Sequence, residues 1–177
     1  LQTLNKEAVA SSIWLLFFLL ECDSKLTHYH PNWLNFNSDN YPARGGYAGS
    51  ISSNYGYSER KSFEFASLDF EMRLPNKLDT DGNYVCSIKL GELSIGHLWY
   101  IESVEDSTAF ICDFFIEQKY RNSGYGELVI KNLESRLKQS GITRLKLHVA
   151  SGNNGALRLY TRLGYGITGH NLFKKFD

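Results

Sequence analysis

The sequence predicts a mixed α/β protein in which antiparallel strands lead, through one long helix, into a parallel pair. Three observations predict it. The apolar period changes from helical to alternating around residues 79–82. Three strand-like segments then follow one another across short turns. Beyond them helix and strand patterns alternate, so that the order from residue 84 reads β-β-β-α-β-α-β. Strands joined by tight turns run antiparallel and strands joined through a helix run parallel, so one sheet holds both. The 177 residues suit one domain, 1–177, with a sizeable core.

Residues 5–22 favour a helix, with Asn5 as its N-cap. Within it, residues 13–20 read Ile-Trp-Leu-Leu-Phe-Phe-Leu-Leu without a break. That run is too short to span a bilayer as a helix. It resembles the apolar core of a secretion signal, but Glu7 before it and Glu21 after it speak for a buried core helix instead. Residues 23–56, rich in His, Asn, Tyr, Gly and Ser with Pro31 and Pro42, read as loop with short elements. From Ser58, a capping residue, to about Arg73 the pattern is helical, with Phe63, Ala66, Phe70 and Leu74 on one face and Pro75 as the stop. Residues 79–82, Asp-Thr-Asp-Gly, are turn chemistry.

Residues 84–90 and 93–101 are strand formers around Gly91-Glu92, a hairpin signal. After a polar turn at 103–107, residues 108–116 are nearly all apolar, as in a central strand covered on both faces. Residues 126–139 form the clearest helix: Val129, Ile130, Leu133 and Leu137 share a face, Glu134 precedes Lys138 by four, and Gly141 stops it. Residues 143–149 alternate as a strand, with Leu145, Leu147 and Val149 on one side. A loop at 151–155, a short helix at 156–163 stopped by Gly164, and a last strand at 168–176 complete the order.

Nineteen basic and nineteen acidic residues cancel. A nucleic-acid binder usually carries a basic surplus, and a polybasic membrane patch is equally absent, so neither partner is expected. Cys22, Cys86 and Cys112 are widely spaced and form no CxxC pair, which argues against a zinc or redox motif. Cys86 and Cys112 lie in apolar strand runs and read as free, buried thiols, consistent with a reducing compartment. His28, His30 and Asp23 stand near one another without a metal-binding motif, so no metal is expected. The aromatic residues around 29–65 could line an acceptor pocket or belong to the core.

The segment Arg121-Asn122-Ser123-Gly124-Tyr125-Gly126 joins the apolar strand to the long helix, which continues with Glu127. A glycine-containing turn lets backbone N–H groups point outward, and a helix start adds its own free N–H groups and positive dipole end. Such a turn cradles a phosphate or pyrophosphate, to which Arg121 can add a charged contact. A tight turn with no ligand has the same residues. The hexapeptide is neither a dinucleotide-binding G-x-G-x-x-G nor a phosphate-binding loop ending in Gly-Lys-Ser/Thr.

These residues match Gln/Arg-x-x-Gly-x-Gly/Ala, the pyrophosphate loop of the GNAT superfamily of N-acetyltransferases. About thirty residues on, Asn153-x-x-Ala156-x-x-Leu159-Tyr160 followed by Leu163-Gly164-Tyr165 is similar to that superfamily's second signature, in the right order and spacing. Gly96-His-Leu-Trp-Tyr100 resembles its second hairpin strand, and Leu74-Pro-Asn-Lys-Leu-Asp-Thr80 resembles a segment of small bacterial acetyltransferases. The likeness covers residues 47–177; residues 1–46 stand where the superfamily has its first strand and helix and match nothing there. Asn122 occupies a position that is often Gly, and Asn tolerates the left-handed backbone better than most residues.

The resemblance implies the acyl-CoA N-acyltransferase fold, acetyl-CoA as cosubstrate, no metal, and a cytoplasmic enzyme. It implies a small-molecule or peptide amine as acceptor, and is compatible with a homodimer. Backbone groups of Phe114, Phe115 and Ile116 would pair with the pantetheine arm where the strand splays from its neighbour. Amides of Arg121, Asn122, Ser123, Gly124, Tyr125, Gly126 and Glu127 would hold the pyrophosphate. Asn153 and Ala156 would meet the cofactor arm, although Asn153 also suits a turn. Tyr160 would protonate the leaving thiolate as general acid. Asp113 is the candidate base for the amine, with Glu102 and His148 as rivals and a structural carboxylate as the other reading. The implied reaction is acetyl transfer to a primary amine by direct attack; acetylation of a protein N-terminus or lysine, and a non-catalytic CoA-binding module, are the alternatives.

Overall fold

The computed structural model describes residues 18–22, 42–76, 79–174 and 176. The chain divides into two compact units, one of residues 1–28 and 78–147, the other of residues 29–77 and 148–177.

The first unit is a five-stranded sheet in the order β1-β2-β3-β4-β5: β1 Phe18–Cys22, β2 Asn83–Leu90, β3 Leu93–Ser103, β4 Thr108–Ile116 and β5 Arg144–Leu147. The first four run antiparallel in turn, and β4 pairs with β5 in parallel. The mixed sheet expected from the element order is therefore present. Gly91 takes the positive φ of 60° that closes the two-residue β2–β3 turn. Gly96 meets a harder constraint. A Cβ there would lie 2.1 Å from the Phe115 carbonyl oxygen, so only glycine lets β3 approach β4 at this point.

Between β4 and β5 runs the helix α3 (Tyr125–Gln139), whose Val129, Ile130, Leu133 and Leu137 are buried as its period predicts. It ends on Gly141 with φ 81°. The Ile142 N–H donates to the Leu137 carbonyl and the Gly141 N–H to that of Lys138, a left-handed stop that satisfies both acceptors. Register sorts the strand side chains: His97, Trp99, Asp113 and Phe115 share one face, and Leu98, Tyr100, Glu102, Phe114 and Ile116 the other. The second face is turned to α3, since the Arg136 cation on that helix acts on Tyr100 and Glu102.

Four expectations about this unit need correction. Residues 18–22 are a strand, not the end of a helix; residues 5–17 lie outside the described residues. An unbroken apolar run has no period to distinguish the two, and the backbone edge of β2 supplies the pairing. Cys86 is disulfide-bonded rather than a free thiol, and its register partner across the β1–β2 ladder is Cys22. Sequence spacing holds no trace of that pairing. Cys112 is free. β4 is buried on both faces only in its first half; Cys112 through Phe115 are half-buried, because β5 stops at Leu147. The strand at 143–149 is thus shorter than expected, and Val149 lies beyond it.

In the second unit, α1 (Pro42–Tyr55) and α2 (Glu59–Arg73) pack together. α2 begins as expected on Ser58, whose hydroxyl accepts from the Lys61 N–H at 3.4 Å, and Ala66, Phe70 and Leu74 are buried. α1 corrects the loop expected at 23–56, of which residues 23–41 lie outside the described residues. Pro42 suits a first helical turn, whereas Gly45, Gly46 and Gly49 lower helix propensity enough to hide it. The last helix, α4 (Asn154–Arg162), follows a loop as expected. Residues 168–174 are exposed and irregular, not the predicted strand.

Candidate active site

The sequence that follows β4 builds an anion cradle. A 3-10 turn, Gln118–Tyr120, carries the chain to Arg121. Asn122 and Gly124 then take positive φ of 60° and 84°, the left-handed conformation that these two residue types tolerate. Gly124 is the N-cap of α3 and offers no side chain. Its carbonyl accepts from Glu127 and Leu128. Among the described residues no backbone carbonyl accepts from the amides of Asn122, Ser123, Gly124 or Gly126. These amides cluster at the positive end of a fifteen-residue helix, with Glu127 in its first turn ion-paired to Lys131.

Arg121 ties this cradle to β4. Its Nε donates to the Ile116 carbonyl at 2.7 Å, and its guanidinium carbon stands 5.2 Å from the centre of the Phe115 ring. The charge is thereby held at the mouth of the loop by a bond that fixes the loop's own base.

β4 itself is bent open. Trp99 faces Asp113 but Tyr100 faces Ile111, so Cys112 is an extra residue, a bulge in β4. Pairing with β5 runs from Thr108 to Ile111 and stops at the same place. From Asp113 to Ile116 the strand keeps its β3 partner and has none on the β5 side among the described residues. Phe114, Phe115 and Ile116, expected to meet the cofactor arm, lie on the stretch beyond the last β4–β5 pair. The bulge has no signature in the sequence.

Asp113 follows the bulge directly. Its Oδ2 is 2.8 Å from His97 Nε2. The His97 ring stacks on Phe115 at 5.3 Å between centroids. Sequence alone does not point to His97, because only the strand register makes it a neighbour of Asp113. Glu102, the first rival, lies on the opposite face of the sheet and pairs with Ala109, toward the other end of β4. Burial raises its carboxyl above the usual range, with Arg136 opposing. His148 is exposed and opens the other unit.

In that unit the second signature is a helix with both ends finished. Asn153 is the N-cap of α4: its Oδ1 accepts from the Ala156 N–H at 3.1 Å, the turn role weighed for it. Leu163-Gly164-Tyr165 is the stop. Gly164 has φ 92°, the Tyr165 N–H donates to the Tyr160 carbonyl at 3.0 Å, and the Gly164 N–H donates to Thr161. The Tyr165 ring meets that of Tyr160 edge-on at 5.3 Å. Tyr160 is buried, while Ala156 is half-buried. Among the described residues no group of three His, Cys, Asp or Glu could hold a metal ion; Asp23, His28 and His30 lie outside them.

The model of the acetyltransferase (GNAT) family matches residues 52–165. The N-acetyltransferase YdgE of Bacillus subtilis is 31% identical over 123 residues, which cover 67% of this chain and 78% of that protein. The N-acetyltransferase YycN of the same organism is 35% identical over 105 residues, 58% of this chain and 67% of that protein. The crystal structure of YycN superposes with a TM-score of 0.77 at 26% identity, covering 90% of this chain and 99% of that one.

Proposed function

This chain belongs to the GNAT family of acetyltransferases, and from that membership we propose that it moves the acetyl group of acetyl-CoA to a primary amine by direct attack. One observation carries the reading: a helix N-terminus whose loop amides meet no backbone carbonyl follows, after one 3-10 turn, on a strand whose second half has no partner on the β5 side among the described residues. The first feature suits a pyrophosphate, and the second offers backbone groups to the amide-bearing pantetheine arm.

In this reading the amides of Asn122, Ser123, Gly124 and Gly126 hold the pyrophosphate, those of Arg121 and Glu127, also expected there, being engaged by the Gln118 and Gly124 carbonyls, and the Arg121 side chain screens its charge while keeping the loop on β4. The backbone of Phe114, Phe115 and Ile116 pairs with the pantetheine arm. Ala156 and the Asn153 amide nitrogen meet the arm from α4, the Asn153 oxygen being engaged in its cap. The amine nitrogen forms a bond to the thioester carbon as the carbon–sulfur bond breaks. Asp113 accepts the proton that the amine loses, and the Tyr160 hydroxyl gives one to the departing thiolate. The acceptor is a small-molecule or peptide amine, and the setting is the cytoplasm on the ground of the acetyl-CoA cosubstrate alone, because the disulfide at Cys86 withdraws the free-thiol argument for a reducing compartment.

The test is release of free thiol from acetyl-CoA with spermidine, kanamycin and an alanyl-terminated peptide. Thiol release that depends on one of these amines is expected. In Gly124→Asp it should be lost with acetyl-CoA binding: nothing crowds that Cβ, but the carboxylate opposes the pyrophosphate and the φ of 84° disfavours the residue. Release that ignores every amine would leave a CoA-binding module, and unchanged affinity in a folded Gly124→Asp would remove the pyrophosphate from this loop.

A further inference from the structure

We infer that His97 is a positioning residue for this reaction: it fixes the Asp113 carboxylate through Oδ2 and leaves the other oxygen to meet the amine. The inference rests on the reading of Asp113 as the amine's proton acceptor. The 2.8 Å between Nε2 and Oδ2 is the length of a charge-assisted hydrogen bond. A carboxylate that is to take a proton from the amine starts ionised and only accepts, so the inference assigns the proton of that bond to Nε2.

Exposure separates the two roles. The His97 side chain is 7% exposed and that of Asp113 is 28% exposed. A buried ring cannot be the group that meets an acceptor arriving from solvent, whereas the carboxylate can. Register gives the contact its geometry. Across the β3–β4 ladder His97 faces Phe115 and Trp99 faces Asp113, so the imidazole reaches Asp113 on the diagonal. Phe115 holds it there, the two planes lying 19° apart, and the Phe115 ring in turn adjoins the Arg121 guanidinium. One run of contacts thus joins the anion cradle to the carboxylate.

The physical need for such a hold is plain. The last torsion of an aspartate is broad, so an untethered carboxylate sweeps through many orientations. The bulge at Cys112 has also freed this stretch of β4 from β5. A proton acceptor must stay within hydrogen-bond reach of the attacking amine, and loss of alignment costs rate even when the group itself remains.

The experiment compares His97→Leu, His97→Gln, Asp113→Asn and the double variant His97→Leu/Asp113→Asn. It uses the fastest of spermidine, kanamycin and the alanyl-terminated peptide, with thermal melts to confirm folding. His97→Leu should lower kcat about ten- to a hundredfold, within the range of one proton-transfer contribution, and leave KM for acetyl-CoA nearly unchanged. His97→Gln retains an N–H donor and should recover part of the rate; it also serves if the Leu variant does not fold. In the Asp113→Asn background, His97→Leu should cost little more, because the two act as one unit. Full kcat in both folded His97 variants, or an equal loss from His97→Leu with and without Asp113, would overturn the inference while leaving Asp113 as the base. Parental kcat in Asp113→Asn would overturn the reading beneath it, and no thiol release with any of the three amines would overturn both.

Discussion

The Tyr160 ring is fixed by its own helix end. It stands three residues before the cap of α4, and the left-handed turn at Gly164 folds Tyr165 back onto it. The Leu-Gly-Tyr that follows the second signature therefore has a mechanical reason: it stops the helix and braces the tyrosine. Tyr160→Phe keeps this ring contact and removes one hydroxyl. We expect the fold and acetyl-CoA affinity to persist and turnover to fall roughly ten- to a thousand-fold. Single-turnover thiol release would check it, and a Phe variant as fast as the parent would reduce Tyr160 to packing. Residues whose roles depend on neighbours in the chain, such as Gly124, Asn153 and Gly164, were readable from sequence. His97 was not, because its partner stands sixteen residues away and only the pairing of two strands brings them together.

At the scale of elements, the hairpin, β4 and α3 were readable because their apolar spacing, turn residues and stops all agree. β1 and α1 are hidden in the sequence for opposite reasons: an apolar run without a period, and a helix diluted by glycine. The bulge that opens β4 depends on which residues pair, not on which residues are present. Gly96 is where β3 and β4 come too close for a side chain. Gly96→Ala would drive a methyl against the Phe115 carbonyl at 2.1 Å, a backbone atom that cannot rotate away. The cost should be about 1–3 kcal/mol, the usual scale of overpacking, read as a lower urea midpoint. Acetyl-CoA affinity should fall with it, since the displaced strand carries Phe115 and Ile116. An unchanged midpoint would mean that β3 and β4 can part there without strain.

For the whole molecule, the face of the sheet turned to α3 leaves a mark on stability. Burial raises the Tyr100 phenol from 10.0 to about 12, with the Arg136 cation opposing and Glu102 and Tyr84 adding. The folded chain therefore holds this proton more tightly than the unfolded one. The stability it contributes is fully present below pH 10 and is lost as the pH rises from there through about 12. Thermal melts across that window should fall less steeply for Tyr100→Phe, which keeps the ring stacked on Tyr84, than for the parent; equal slopes would count against the buried phenol. The sheet's far margin has a different consequence. β5 has β4 on one side and no strand on the other among the described residues. A bare margin invites a neighbouring molecule to add its own strand, the first step toward aggregates. Here it is only four residues long, and every second one is an exposed cation, Arg144 and Lys146. Two copies brought edge to edge would face charge against charge with few bonds to gain, so strand-to-strand pairing at this margin is opposed by its own side chains.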